Sequence, residues 1–554
     1  MQIRLSANSY LCHQKFTALD TNFQSEYLPY SQTGKFSKIA LDFIDEASEL
    51  KGFYQHPVSI EGIKSAISER MNFNNNRKLL VEQFQSQYKD LEDCDLVKLN
   101  ISALLEENTF TICTAHQPNI FTGHLYFIYK ILHVIKLSDS LRTDLPEYNF
   151  VPVFFMGSED ADLEELNNVV IDGEKYVWDT KQTGAVGRMK VDENLIRLID
   201  KISGRLSVEK CGSEIIRLLK ECFVKNISIE EATFLFVHHL FKQYGLLVLL
   251  PDSAALKKEM LSILEDDIFN HTSSGIVTKT SEKLAEKYKA QAYPREINLF
   301  YLKDNLRNRI VPVDDHFVIH DTDIVFTKDQ MKAELQAHPE RFSPNVILRG
   351  VFQEIILPNI VFVGGGGELA YWLQLKDLFA NYKVPFPVLI LRNSFLIVDE
   401  KYGKLLEKLK ISASDLFSGK QTLFDEIVAK ESESVLNLEE EKAEIGKVYE
   451  NIKRLVSRID TTLEQHTAAL QARQLKTLSV LEKKMLRAEK RKFVNQKNQL
   501  DKIFSALCPN GGLQERTDNF MLFYSRYGKD FFEVLLNNSL TTEQKFCILT
   551  AQKN

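Results

Sequence analysis

No stretch of this 554-residue chain is apolar for the roughly 20 residues that crossing a bilayer takes. The longest runs, around Leu246–Leu250 and Val388–Leu391, are far shorter, so no membrane partner is expected. The opening MQIRLSANSY lacks an apolar core and a small-residue cleavage site, which argues against secretion. Cysteine is sparse and scattered: Cys12, Cys94, Cys113, Cys211, Cys222, Cys508 and Cys547 are odd in number and form no Cys-x-x-Cys pair. That excludes a disulfide framework and a zinc knuckle, and no metal site is expected. Charge of one sign is also lacking. A net charge of −7 gives no global reason to expect nucleic acid as partner. Together the absences leave a cytoplasmic enzyme or scaffold.

What is present is enough for a large core: 44% hydrophobic and 26% charged residues are ordinary globular values. Five short runs are continuously apolar rather than alternating: Thr109–Ala115, Phe150–Met156, Leu246–Leu250, Ile360–Val363 and Pro387–Leu391. Strands covered on both faces by helices read this way, and helical segments follow most of them. The expected fold class is therefore α/β, with a parallel, doubly wound sheet. The long gaps between strands require inserted subdomains, whose strand-containing parts are expected at Trp178–Lys190 and Arg295–Phe326. The partition runs as follows: a helical lead-in packed on the core over 1–108; core segments at 109–171, 231–270 and 343–399; insertions at 172–230 and 271–342; a coiled-coil arm at 400–505; and a tail over 506–554 that packs back on the core.

In such a sheet ligands bind beyond the carboxyl ends of the strands. Four polar patches fall there. The first is His116-Gln117-Pro118-Asn119-Ile120-Phe121-Thr122-Gly123-His124, ahead of a helix expected from about Gly123 to Ser138. The second is Ser158-Glu159-Asp160-Ala161-Asp162, whose close carboxylates suit an amine substrate, Mg²⁺ or base catalysis. Glu164 and Glu165 beside it read as a solvated helix start. The third is Gly364-Gly365-Gly366-Gly367 with Glu368 and Tyr371, where glycine lets backbone approach a ligand. The fourth is Arg392-Asn393-Ser394, and Ser343-Pro344-Asn345 and Arg349-x-x-x-Gln353-Glu354 add further groups.

No proline occurs between Pro387 and Pro509, so long helices are permitted there. Ile445, Val448, Ile452, Leu455, Ile459 and Thr462 alternate three and four apart, the seam of a coiled coil, read here as an antiparallel hairpin used for dimerisation. Between Leu481 and Lys497, seven basic residues stand against Glu482 and Glu489, a local +5. The run serves either as a solvated helix face or as an attractor of nucleotide phosphate or RNA. In the second case Lys490, Arg491, Asn510, Gly511 and Arg516 would hold the nucleotide.

Four of these stretches, HQPNIFTGHLYFIYK, VPVFFMGSEDADLEELN, SPNVILRGVFQEIILPNIVFVGGGGELAYWLQLK and PNGGLQER with its tail NFMLFYSRYG, resemble in the same order the cysteine-adding enzymes of bacillithiol synthesis. The resemblance spans about Thr111 to Gly528. It implies a Rossmann-like core interrupted by two insertion subdomains and followed by a C-terminal coiled-coil dimer. It also implies a ligase that joins the carboxyl group of L-cysteine to the amine of glucosaminyl malate. Two positions depart: Ala161 and Asn168 stand where that family has histidine.

On this reading Asp160, Asp162 and His116 carry the chemistry. Gln117, Asn119, Gly123, His124, Glu159, Gly365, Gly366, Glu368, Tyr371, Arg392 and Asn393 bind substrate. No cofactor is fixed by the sequence. ATP is the candidate activator, although Phe121-Thr122-Gly123-His124 keeps only half of the H-x-G-H signature of class I synthetases and no lysine loop follows the last strand. The alternatives are a nucleotidyl-transfer ligase with another amine acceptor, and a non-catalytic coiled-coil or RNA-binding scaffold.

Overall fold

The computed structural model describes residues 22–92, 94–432 and 437–552; Cys12 and the start of the lead-in lie outside them. The chain forms two compact units, one of residues 1–397 with 512–554 and one of 398–511.

The five apolar runs form one sheet: β1 (Thr109–His116), β2 (Asn149–Met156), β3 (Leu247–Leu249), β4 (Asn359–Gly364) and β5 (Val388–Leu391). All four pairings are parallel, in the order β3-β2-β1-β4-β5. Nearly every residue of these strands is buried, as strands between two helical layers must be. One layer includes α1 (Tyr126–Asp144), whose face toward the sheet carries Phe127, Ile128, Ile131 and Leu132. The lead-in is tied to the core by polar bonds. Arg77 donates to the Thr109 carbonyl (2.8 Å), and the Tyr88 hydroxyl accepts from the Val248 amide (2.8 Å).

Helix α1 starts at Tyr126 rather than Gly123 because Phe121, Thr122 and Gly123 all have positive φ (51°, 69° and 64°). Two further helices, α2 (Val346–Ile356) and α3 (Gly366–Trp372), flank β4. After α3 the chain turns at Leu373–Leu375 and enters a second short helix, Lys376–Tyr382. The second insertion holds an antiparallel sheet built from Leu299–Lys303, Leu306–Val313, His316–Ile319 and Val325–Thr327, joined by Phe342–Pro344. In the first insertion the strands lie earlier than expected, as a hairpin of Asn168–Ile171 and Glu174–Val177. Trp178–Lys190 holds no strand of its own. Trp178 is instead buried, with its indole N–H donating to Asp192 (2.8 Å).

In the second unit α4 (Glu439–Ser457) and α5 (Leu463–Lys490) form an antiparallel hairpin: Lys442 bonds Glu482 (2.6 Å) at one end, and Ser457 bonds Glu464 at the other. The seam expected from the heptad pattern does not close this hairpin. Val448, Leu455 and Ile459 stay 55%, 61% and 81% exposed, because the half-buried positions 446, 449, 453 and 456 lie on a neighbouring stripe. Among the described residues no helix is long and apolar enough to cross a membrane.

Candidate active site

Strand register brings the four polar patches to one edge. His116 pairs with Met156, and Gly364 with Leu391, so Gln117, Gly157, Gly365 and Arg392 emerge side by side. The Arg392 amide donates to the Gly364 carbonyl (2.8 Å), continuing that pairing. The strand order reverses between β1 and β4, where an open parallel sheet leaves its crevice. A cavity of about 460 Å³ occupies that place.

The His116 loop is held from behind by the returning tail. Left-handed backbone is unfavourable for Phe121 and Thr122. Asn519, fully buried, offsets this by donating from Nδ2 to the carbonyls of Phe121 (2.9 Å) and Gly123 (2.5 Å). His124 donates through Nδ1 to the Thr517 carbonyl (3.1 Å) and stands outside the cavity wall, as do Asn119 and Gly123. Gln117 and His116 line the cavity. His116 meets Tyr126 and Phe127 edge-on, and burial, with Lys130 nearby, pushes its pKa well below the usual imidazole range. It is a neutral ring at pH 7, and its Nε2 has no hydrogen-bond partner among the described residues.

The carboxylates of the second patch part ways. Glu159 is committed to the buried Lys257 ammonium and to Ser343 Oγ (3.2 Å), and burial raises its pKa against the pull of Lys257. Asp162 is exposed outside the wall and caps a short helix by accepting the Glu165 amide (3.3 Å). Glu165 is solvent-exposed in the first turn of that helix, as expected, and also lines the cavity; partial burial, with Asp162 and Asp160 beside it, raises its pKa. Asp160 remains available. It accepts from the Ala161 amide (2.7 Å) and Gln117 Nε2 (3.1 Å), its nearest cation is Arg307 at 3.9 Å, and its side chain is 32% exposed.

The glycine loop brings backbone close to side chains. A Cβ at Gly364 would lie 2.9 Å from the Phe362 ring, and the Gly365 amide donates to Glu368 (2.8 Å). Glu368 also pairs with Lys130, a buried ammonium that donates to the Ala115 carbonyl (2.9 Å) and whose pKa is lowered by burial. Gly365, Gly366, Glu368, Tyr371 and Arg392 all line the cavity. Arg392 is neutralised by Glu515 (2.6 Å). Asn393 lies outside the wall, tied to the Leu540 carbonyl (2.9 Å). Arg349 projects from α2 and bonds Tyr371 (2.7 Å) and Gln353 (3.1 Å), and no carboxylate pairs with it among the described residues.

Sequence reading missed Lys130, Lys257 and Arg307. Lys130 had a legible signal, a lone cation on the buried face of Tyr126–Leu137, whereas Lys257 and Arg307 come from segments with no local pattern. Arg516 lines the cavity. In the second unit, Lys490 pairs with Asp425, Arg491 begins the short 3₁₀ turn after α5, and Asn510 and Gly511 form a turn of positive φ (53° and 74°).

Comparison with known proteins decides the family. The model of the N-terminal Rossmann-like domain of bacillithiol biosynthesis BshC matches residues 23–393, and that of its C-terminal coiled-coil domain matches 395–551. The chain belongs to the BshC family. Similar curated relatives, each named "Putative cysteine ligase BshC", come from Flavobacterium johnsoniae (39% identity; 95% of this chain and 99% of the relative), Cytophaga hutchinsonii (36%; 90% and 94%) and Chlorobaculum tepidum (28%; 82% and 85%). Within this family reading, Ala161 leaves no imidazole between Asp160 and Asp162. His116 is the only histidine on the cavity wall among the described residues.

Proposed function

We propose that this BshC-family chain joins the carboxyl group of L-cysteine to the amine of glucosaminyl malate, forming bacillithiol. One observation carries the proposal. A single cavity at the switch point of the sheet combines an available carboxylate, Asp160, with an unpaired guanidinium, Arg349. An amino sugar bearing a dicarboxylic acid presents the complementary pair of charges. Asp160 receives the ammonium and takes its proton, so that the free amine attacks the acyl carbon. Arg349 and the Tyr371 hydroxyl receive a malate carboxylate. Joining a carboxylate to an amine needs an activated acyl donor, and ATP is the candidate. Release of neither AMP nor ADP during turnover would exclude it. Deleting the gene is expected to abolish bacillithiol and accumulate glucosaminyl malate in a profile of cellular thiols. An unaltered thiol pool would overturn the assignment.

The reading includes a cytoplasmic location, in keeping with six described cysteines that form no disulfide. It also includes a homodimer formed through the open seam Val448–Ile459, along α4 and the turn that follows it, which leaves large apolar side chains in water. Light scattering of the purified protein should give twice the chain mass, and the Leu455→Glu/Ile459→Glu variant should give the monomer mass. A wild-type monomer would reject this interface.

A further inference from the structure

Behind the cavity, polar side chains form a chain with almost no contact with water. Arg70, Gln353, Glu354 and Asn359 are at most 2% exposed. Gln353 sits in the middle: its Oε1 accepts from Arg349 Nη1 (3.1 Å), and its Nε2 donates to Glu354 Oε1 (2.9 Å). That same oxygen accepts from Asn359 Nδ2 (2.7 Å), at the start of β4. The other oxygen of Glu354 accepts from Arg70 Nη2 (2.6 Å), and Arg70 Nη1 donates to the Glu354 carbonyl (2.7 Å). Asn359 closes the chain onto β1 by accepting from Thr111 Oγ1 (3.2 Å).

We propose that Gln353 is a positioning residue that sets the cavity-facing orientation of Arg349, using the buried Arg70–Glu354 pair as its anchor, and so sets selectivity for an acidic acceptor. The inference rests on the reading of Arg349 as the carboxylate-binding group. Its chemistry is restrictive. Arg349 can only donate, and the Glu354 oxygen that meets Gln353 can only accept when ionised, so the residue between them must accept on one side and donate on the other. A carboxamide of glutamine length does both. Glutamate would place two carboxylates together, and methionine offers no donor and only a weak acceptor. The free guanidinium has five N–H donors but is steered by two side-chain bonds, to Tyr371 and Gln353. Removing one leaves it to swing about the other, and a carboxylate then meets a single N–H rather than a fork.

The test is calorimetric binding of two ligands to the full chain, glucosaminyl malate and methyl glucosaminide, which lacks the carboxylates. Wild type is expected to prefer the acidic ligand. Gln353→Met should reduce that preference by about tenfold while leaving affinity for methyl glucosaminide unchanged, the loss of one charge-assisted hydrogen bond. A merely structural defect weakens both ligands together or lowers the binding stoichiometry, and leaves their ratio intact. Should the methionine variant not fold, Gln353→Leu reads the same ratio. An unaltered ratio in the variant that folds, or failure of both to fold, overturns the positioning role. Arg349→Met separates the two readings. If it leaves the ratio intact, Arg349 does not bind the carboxylate and the underlying reading fails. If it abolishes the preference while the Gln353 variants keep it, only the inference fails.

Discussion

Asp160→Asn is expected to lower kcat/KM for amide formation by about 10²–10⁴-fold, the range lost when a positioned base is removed. The melting temperature should stay where it is. Asp160 is a third exposed; the asparagine carbonyl keeps the bond from the Ala161 amide, and the Gln117 carboxamide can turn over so that its oxygen accepts from the new amide nitrogen. What asparagine cannot do is neutralise an ammonium or take its proton. The neighbouring carboxylate gives the contrast. Glu159→Gln leaves the fully buried Lys257 ammonium without its nearest counter-charge, so that variant should lose stability as well as rate. Initial rates by mass spectrometry of the thiol product, with thermal melts alongside, distinguish the two. Full activity in Asp160→Asn would remove Asp160 from the chemistry and leave Glu165 as the remaining acidic group that lines the cavity with no counter-ion among the described residues.

Arg70→Met is expected to cost about 3–5 kcal/mol of folding stability at pH 8, the range for breaking a buried pair from one side. The variant leaves the Glu354 carboxylate with no cation in contact, only Arg349 beyond Gln353, and frees the carbonyls of Glu354 and Pro385 that Arg70 now serves. The loss should depend on pH with a definite sign. Burial pushes the Glu354 pKa up to about 7 even with Arg70 present. A group whose folded pKa is raised contributes stability that is complete below its unfolded value near 4.5 and is lost as pH rises through the folded value. Without Arg70 the folded value moves higher still. The penalty should therefore be smallest near pH 5, where Glu354 holds a proton in the folded state, and should grow through pH 7 to 8. Urea unfolding at several pH values measures it. A penalty that is flat with pH would mean that Glu354 stays ionised throughout.

Much of the core was legible because its signals are local. Five continuously apolar runs can only be strands covered on both faces, and each was found within a residue or two of its expected place. Irregular segments were harder. Positive φ at Phe121 and Thr122 delays α1 by three residues, and nothing in those side chains demands that conformation; Asn519, almost 400 positions away, holds it. The coiled-coil seam was correctly read as apolar, but which stripe closes the hairpin depends on how the two helices meet.

For the site, the sequence by itself determined the inventory: which loops follow strands, and that carboxylates, glycines and an arginine stand at those loops. Only the tertiary structure decided which of them are available. Glu159 and Asp160 are neighbours with the same functional group, yet Lys257 claims one and leaves the other open. Asp162 and His124 turn to backbone partners, and Arg392 is neutralised by Glu515, whereas Arg349 keeps its charge for the cavity. Chain order fixes where a charge is made, but its counter-charge comes from wherever the fold brings one within about 4 Å, and in this protein that partner can lie 284 residues away, as Glu354 does from Arg70.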